Sequence, residues 1–122
     1  MDESINVFGE KLEICGIDPV TGFYRDGYCN TCKDDIGSHT VCIETSQEFL
    51  DYTKSQGNDL STPMPDYGFD GLEPGDNWCV CAERWLEAEK SGMAPRLNLQ
   101  STHIRALDII PLELLKKYAV DD

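Results

Sequence analysis

Residues 74–92, PGDNWCVCAERWLEAEKSG, decide how the fold is read. Their spacing predicts one central helix. Asp76 is the expected N-cap, with Asn77 second, and Gly92 is the expected stop. At helical spacing Trp78, Cys81, Ala82, Trp85, Leu86 and Ala88 share one face, and Glu83, Arg84, Glu87 and Lys90 share the other. Glu89 falls within the apolar face and must turn outward or find a partner. Both tryptophans and two of the six cysteines lie in this stretch.

Upstream of that helix, His39 to Glu44 (HTVCIE) alternates as a strand, with Val41 and Ile43 on one face and Thr40, Cys42 and Glu44 on the other. Thr45 and Glu48 form a capping-box pattern, opening a helix from Ser46 to Gln56 that Gly57 or Asn58 ends. Gly57 to Asn77 shows no period and is expected as an ordered Ω-like loop anchored by Leu60, Met64, Tyr67, Phe69 and Leu72. Nearer the N-terminus, Ile5–Phe8 and Lys11–Cys15 read as paired strands. Asp26-Gly27 between aromatic residues reads as a two-residue hairpin. Thr31 to Ser38 is a polar loop. Beyond the central helix, Arg96–Ser101 and Leu107–Ile110 read as strands, and Pro111 opens a last helix whose inner stripe is Leu112, Leu114, Leu115 and Tyr118. No βαβ rhythm or linker is present. The expectation is therefore a single compact α+β domain, residues 1–122, with helices packed on a small, mainly antiparallel sheet and one long ordered loop.

A chain of 122 residues can bury enough surface to fold without cross-links. No apolar run approaches a membrane span, and the N-terminus lacks the basic start and apolar run of a signal peptide. The expected location is cytoplasmic, where six cysteines are expected as free thiols and not as disulfides. The net charge of −13, from 23 acidic and 10 basic residues, argues against nucleic acid and anionic membranes as partners. The acidic residues are dispersed, which reads as a soluble, self-repelling surface and not as a high-salt adaptation.

Several stretches carry a resemblance. They are TGFYRDGYCN (21–30), GSHTVC (37–42), GNDLSTP (57–63), PGDNWCVCAERW (74–85), APRLNLQSTH (94–103) and PLELLKKYA (111–119). In this order they resemble the family catalogued as domain of unknown function 2237, over Asn6 to Ala119. The family has no assigned activity, so the resemblance implies no mechanism. It implies that Cys15, Cys29, Cys42, Cys79 and Cys81 match family cysteines, whereas Cys32 departs from the pattern.

Three kinds of chemistry compete. The leading expectation is a small-ligand or partner-binding module with a polar, thiol-containing site. It would draw on Asn58, Asp59, Ser61 and Thr62 of the loop together with His39 and Cys42. The bland reading of the loop cluster is that these side chains hold the loop in shape. The second expectation is a thiol-dependent enzyme or redox protein. Cys79 is its candidate catalytic residue, in the first turn of the central helix, and His39 or His103 is the candidate base. Cys81 is then expected to pack between Trp78 and Trp85 as a sequestered thiol. The third is zinc binding through Cys29, Cys32, His39, Cys42, Cys79 and Cys81. On a helix, however, Cys79 and Cys81 are separated by ~200° of rotation, and no second CxxC completes a knuckle. No residue is therefore assigned to a metal. The cofactor, the identity of the partner and any reaction stay open.

Overall fold

The computed structural model describes residues 5–17, 20–22, 26–31, 35, 38–64, 66 and 71–120. Strand β1, His39–Glu44, is the centre of a three-stranded antiparallel sheet. Strands β2, Asn77–Cys81, and β3, Arg96–Leu97, flank it in the order β2-β1-β3. Three α-helices are found among the described residues: α1, Gln47–Ser55; α2, Ala82–Lys90; and α3, Leu112–Tyr118. A 3-10 turn covers Ile104–Asp108. The architecture is α+β, in one compact domain.

The central stretch divides where a single helix was expected. Asn77 to Cys81 is extended, and only Ala82 to Lys90 is helical. The reason lies in Trp78 and Val80, aromatic and β-branched residues that suit a ladder. They sit opposite Ile43 and Val41 of β1. The helical part keeps its expected inner positions, with Ala82, Trp85 and Ala88 buried. Glu89 finds its partner in the Tyr118 hydroxyl, which donates to Oε2 at 3.2 Å. Gly92 stops the helix at φ 74°, where the amides of Gly92 and Met93 donate to the Glu89 and Ala88 carbonyls.

Helix α1 begins one residue later than the capping-box reading implied. Ser46 is the cap, and its hydroxyl accepts from the Phe49 amide. The Thr45 hydroxyl instead donates to the Glu73 and Asp76 carbonyls, fastening the end of the long loop. That loop is also held by buried Leu72, whose amide donates to the Leu60 carbonyl at 2.8 Å. Tyr67 and Phe69, two of its expected anchors, lie outside the described residues.

Several short strands were over-read. Ile5 and Lys11 meet in a single bridge around a turn at residues 7–10. Buried Asn6 closes this turn, its Oδ1 accepting from the amides of Phe8 and Glu10. Side-chain hydrogen bonding to local backbone favours such a turn over a ladder. Leu107 and Asp108 belong to the 3-10 turn and not to a strand, and His103 caps this turn by accepting from the Arg105 amide. The expected hairpin falls partly outside the described residues. Its described part, 26–30, bends at Gly27 without strand pairing.

The sheet has two different faces. Val41, Ile43, Trp78 and Val80 pack with Phe49, Leu50, Trp85, Leu97 and Leu115 in the main apolar core. Trp85 fits it closely: Nε1 donates to the Pro95 carbonyl at 3.2 Å, and its ring meets Tyr118 edge-on at 5.2 Å. Cys42 and Cys79, partners across β1 and β2, belong to a separate buried cluster with Cys15 and Cys29.

Candidate functional site

The ladder between β1 and β2 pairs Cys42 with Cys79 and Val41 with Val80, and then skips a residue, so that His39 faces Cys81. This irregularity at Thr40 decides the site. Side chains alternate along a strand, so His39 would normally share the face of Val41 and Ile43. One extra residue reverses that phase and turns His39 to the side of Cys81. Ser38 makes the bend possible with φ 51°, the left-handed region that non-glycine residues seldom occupy. The bend is fixed when the Thr40 and Ala82 amides both donate to the Ser38 carbonyl, at 2.7 and 3.0 Å.

The result is a line of three side chains. His39 Nε2 lies 3.3 Å from Cys81 Sγ. His39 Nδ1 lies 2.6 Å from Asp35 Oδ1. The Asp35 carboxylate is fully buried, and its other oxygen accepts from the Thr31 hydroxyl at 2.9 Å and the His39 amide at 2.8 Å. A buried carboxylate with this many donors is held in one orientation, and through it the imidazole is held as well. The histidine is pushed up from 6.5 to about 9, first by its hydrogen bond to Cys81, then against the opposing effect of burial, and further by Asp35. At neutral pH the ring is therefore an imidazolium that can donate from both nitrogens.

Cys81 is the described cysteine that stands outside a disulfide, and it is partly exposed. It is also the N-cap of α2, with no side-chain hydrogen bond in the capping position. The positive end of the helix dipole therefore lies beside the sulfur. A shallow cavity of about 360 Å³, lined by Cys81, Glu83, Arg84 and Glu87, gives the thiol access to solvent. A larger cavity of about 590 Å³ is lined by Lys11, Asp26, Tyr28 and Asn30 among others, but among its described lining residues there is neither sulfur nor imidazole. Size does not select the site here; chemistry does.

The other cysteines are arranged differently from expectation. Cys15 is joined to Cys42 and Cys29 to Cys79, which corrects the expectation of six free thiols. The physical reason is convergence: all four side chains lie in one buried cluster beneath the sheet. Cys79 is thus not in a helical first turn but in β2, 2 % exposed and disulfide-bonded, and carries no free thiol. Cys81, expected to be sequestered between two tryptophans, is the accessible one among the described cysteines. Cys42 lies in the sulfur cluster, and Cys32 lies outside the described residues.

The polar loop cluster is hydrogen-bonded within itself. Asp59 Oδ1 accepts from the amides of Ser61 and Thr62, and Oδ2 accepts from the Thr62 hydroxyl. These bonds, with the Thr62 hydroxyl first, hold the Asp59 carboxyl down at about 2. Asn58 Nδ2 donates to the Thr53 hydroxyl of α1. His103, the other candidate base, caps the 3-10 turn.

Of the residues singled out in the sequence, the triad contains His39 and Cys81, the latter expected to be sequestered. Asp35 was passed over as part of a polar loop, although its i,i+4 relation to His39 was a usable signal.

The family model described as "Uncharacterized protein conserved in bacteria" (DUF2237) matches residues 5–119. No curated protein matches the chain. No helix among the described residues is long and apolar enough to cross a membrane.

Proposed function

The chain belongs to this uncharacterized bacterial family, and we propose that it is a thiol-dependent enzyme whose nucleophile is Cys81. The observation that carries the reading is the Cys81–His39–Asp35 line, with 3.3 Å and 2.6 Å between its members. An accessible sulfur, an imidazolium within reach to pair with its thiolate and to protonate a leaving group, and a buried carboxylate orienting that ring are the parts that nucleophilic catalysis by cysteine requires.

The reaction class this arrangement supports is acyl transfer. The Cys81 thiolate attacks a carbonyl carbon, forming a C–S bond. As the tetrahedral adduct collapses, the bond to the leaving group breaks and His39 Nε2–H protonates that group. Water then attacks the thioester, giving its proton to His39, and the thiolate departs. Asp35 holds Nδ1–H throughout and so keeps Nε2 aimed at the sulfur. The cavity beside Cys81 offers two carboxylates and Arg84, which is 3.5 Å from Glu87 Oε1.

A binding module centred on Asn58, Asp59, Ser61 and Thr62 is the weaker reading. The hydrogen-bonding groups that would meet a ligand are already used within the loop. A small molecule or protein partner, no interaction with nucleic acid or membrane, and a cytoplasmic location are parts of the proposal that rest on charge and composition.

The test is timed alkylation at pH 7 with peptide mapping, alongside intact-mass trapping of a thioester from an activated acyl ester. Cys81 should react faster than free cysteine under the same conditions. His39→Gln should slow it by about tenfold or more, as expected when the paired cation is lost. Asp35→Asn should slow it less. If Cys81 reacts at the rate of free cysteine and His39→Gln changes nothing, the nucleophile reading fails.

A further inference from the structure

Two residues along β2 from Cys81, at the middle of the β1–β2 ladder, begins a sulfur assembly that the proposed chemistry does not use. The Sγ atoms of Cys15, Cys29 and Cys79 all lie within 4.8 Å of one another, and Cys42 Sγ is bonded to Cys15 Sγ. The four residues are between 0 and 4 % exposed and form a cluster distinct from the aliphatic core. They come from widely separated parts of the chain and meet at one point. Two disulfides acting only as staples have no need to converge; four ligands of one ion do.

We infer that, when reduced, Cys15, Cys29, Cys42 and Cys79 form a tetrathiolate zinc site. A tetrahedral zinc ion holds thiolates at about 2.3 Å, which sets the sulfurs about 3.8 Å apart. The sulfurs of Cys15, Cys29 and Cys79, already within 4.8 Å of one another, need little movement to reach this spacing, and that of Cys42 is brought beside them by its bond to Cys15. Half of the site is held by rigid elements, because Cys42 and Cys79 are directly opposed on adjacent strands. The other two ligands arrive on the N-terminal segment, which the Glu13 amide, donating to the Gln100 carbonyl at 3.0 Å, helps to dock. The Cys15 amide donates to the Gly27 carbonyl, and Asn77 Nδ2 donates to the Cys15 carbonyl. The ligand chemistry selects a soft or borderline ion: four sulfurs, with no carboxylate grouped with them among the described residues, suit zinc better than calcium or magnesium.

The two states interconvert in balance. Two equivalents of a dithiol reductant supply four electrons and four protons, opening both disulfides to four thiols and leaving two oxidised reductant molecules. Zinc then replaces the four protons as four Zn–S bonds form. The ion needs neither Cys81 nor His39, so this site and the proposed nucleophile can fail separately.

The test uses the full chain, denatured in dithiothreitol and refolded without oxygen in the presence of zinc or cobalt. The expected result is one metal ion per chain. X-ray absorption should give a shell of four sulfurs at about 2.3 Å for zinc, and cobalt should give the intense visible bands of a tetrathiolate. Replacing any one of the four cysteines with serine should weaken cobalt binding by more than the ~100-fold typical of outer-shell changes. Cys81→Ser should leave the cobalt spectrum unchanged. The absorption measurement needs only the wild-type chain, so misfolded variants do not spare the idea. A shell containing nitrogen or oxygen, binding that depends on Cys81 or His39, or a reduced chain that takes up no metal would each overturn it.

Discussion

The two faces of the sheet solve the same packing problem by different means. One face is covered by helices, through Phe49, Leu50, Trp85 and Leu115. Its cohesion comes from apolar area removed from water, and it is spread over many contacts. The other is covered by a segment whose described residues form turns and isolated bridges, tied down by Cys15–Cys42 and Cys29–Cys79. Its cohesion is concentrated in a few bonds. A distributed core tolerates the loss of any one contact better than a stapled one tolerates the loss of its staples. Cys81, the proposed nucleophile, sits at the end of β2 beside this face.

The largest effect should come from opening that face. With metal chelated away, each disulfide closes a loop of 27 or 50 residues and should contribute about 4 kcal/mol. Urea unfolding of the oxidised and fully reduced chains measures the sum. A loss below ~1 kcal/mol would mean that the N-terminal segment docks without its staples.

On the helical face, Trp85→Ala should cost ~3–5 kcal/mol, because the ring is fully buried. The same urea series checks this. If Trp85→Ala costs more than loss of both disulfides, the ranking of the two faces is reversed.

Two smaller effects probe the bend that aims His39. Ser38→Gly should stabilise the chain by up to ~1 kcal/mol, since glycine relieves the left-handed strain but loses more entropy on folding. Calorimetry would detect a rise of a few degrees in Tm, and a fall would mean that Ser38 is held there by more than its backbone.

The last effect concerns pH. The folded value of His39 is raised from 6.5 to about 9, so its contribution to stability is fully present below 6.5 and is lost as pH rises through about 9. The side chain is 37 % exposed, which weakens the effect by screening. The Tm difference between wild type and His39→Gln should shrink steadily across this window. A difference that grows with pH would contradict the charged pairing.

The same contrast explains what could be read from the sequence. The helical face was largely legible because its signals are local. HTVCIE alternates, the capping pattern at Thr45 and the stop at Gly57 place α1 to within a residue at each end, and Ala82, Trp85 and Ala88 repeat at helical spacing. The α+β class follows from those elements. The boundary at Cys81 was missed because Trp78 and Cys81 also fit a helical period when Val80's preference for a strand is given less weight. The sulfur face was not legible. Its pairings span 27 and 50 residues, and nothing local encodes which cysteines meet. The His39–Cys81 contact depends on one skipped residue in a ladder, and a bulge leaves no periodic mark in HTVCIE.

The order of the cross-linked residues along the chain has a consequence of its own. Cys29 falls inside the ring closed by Cys15 and Cys42, and Cys42 falls inside the ring closed by Cys29 and Cys79. The rings interlace. A protease that severs any one peptide bond between Cys15 and Cys79 therefore cannot separate the pieces, because one ring always spans the cut. This includes every bond of the long loop between α1 and β2. In its oxidised form the molecule can be nicked there and still migrate as a single species until a reductant is added.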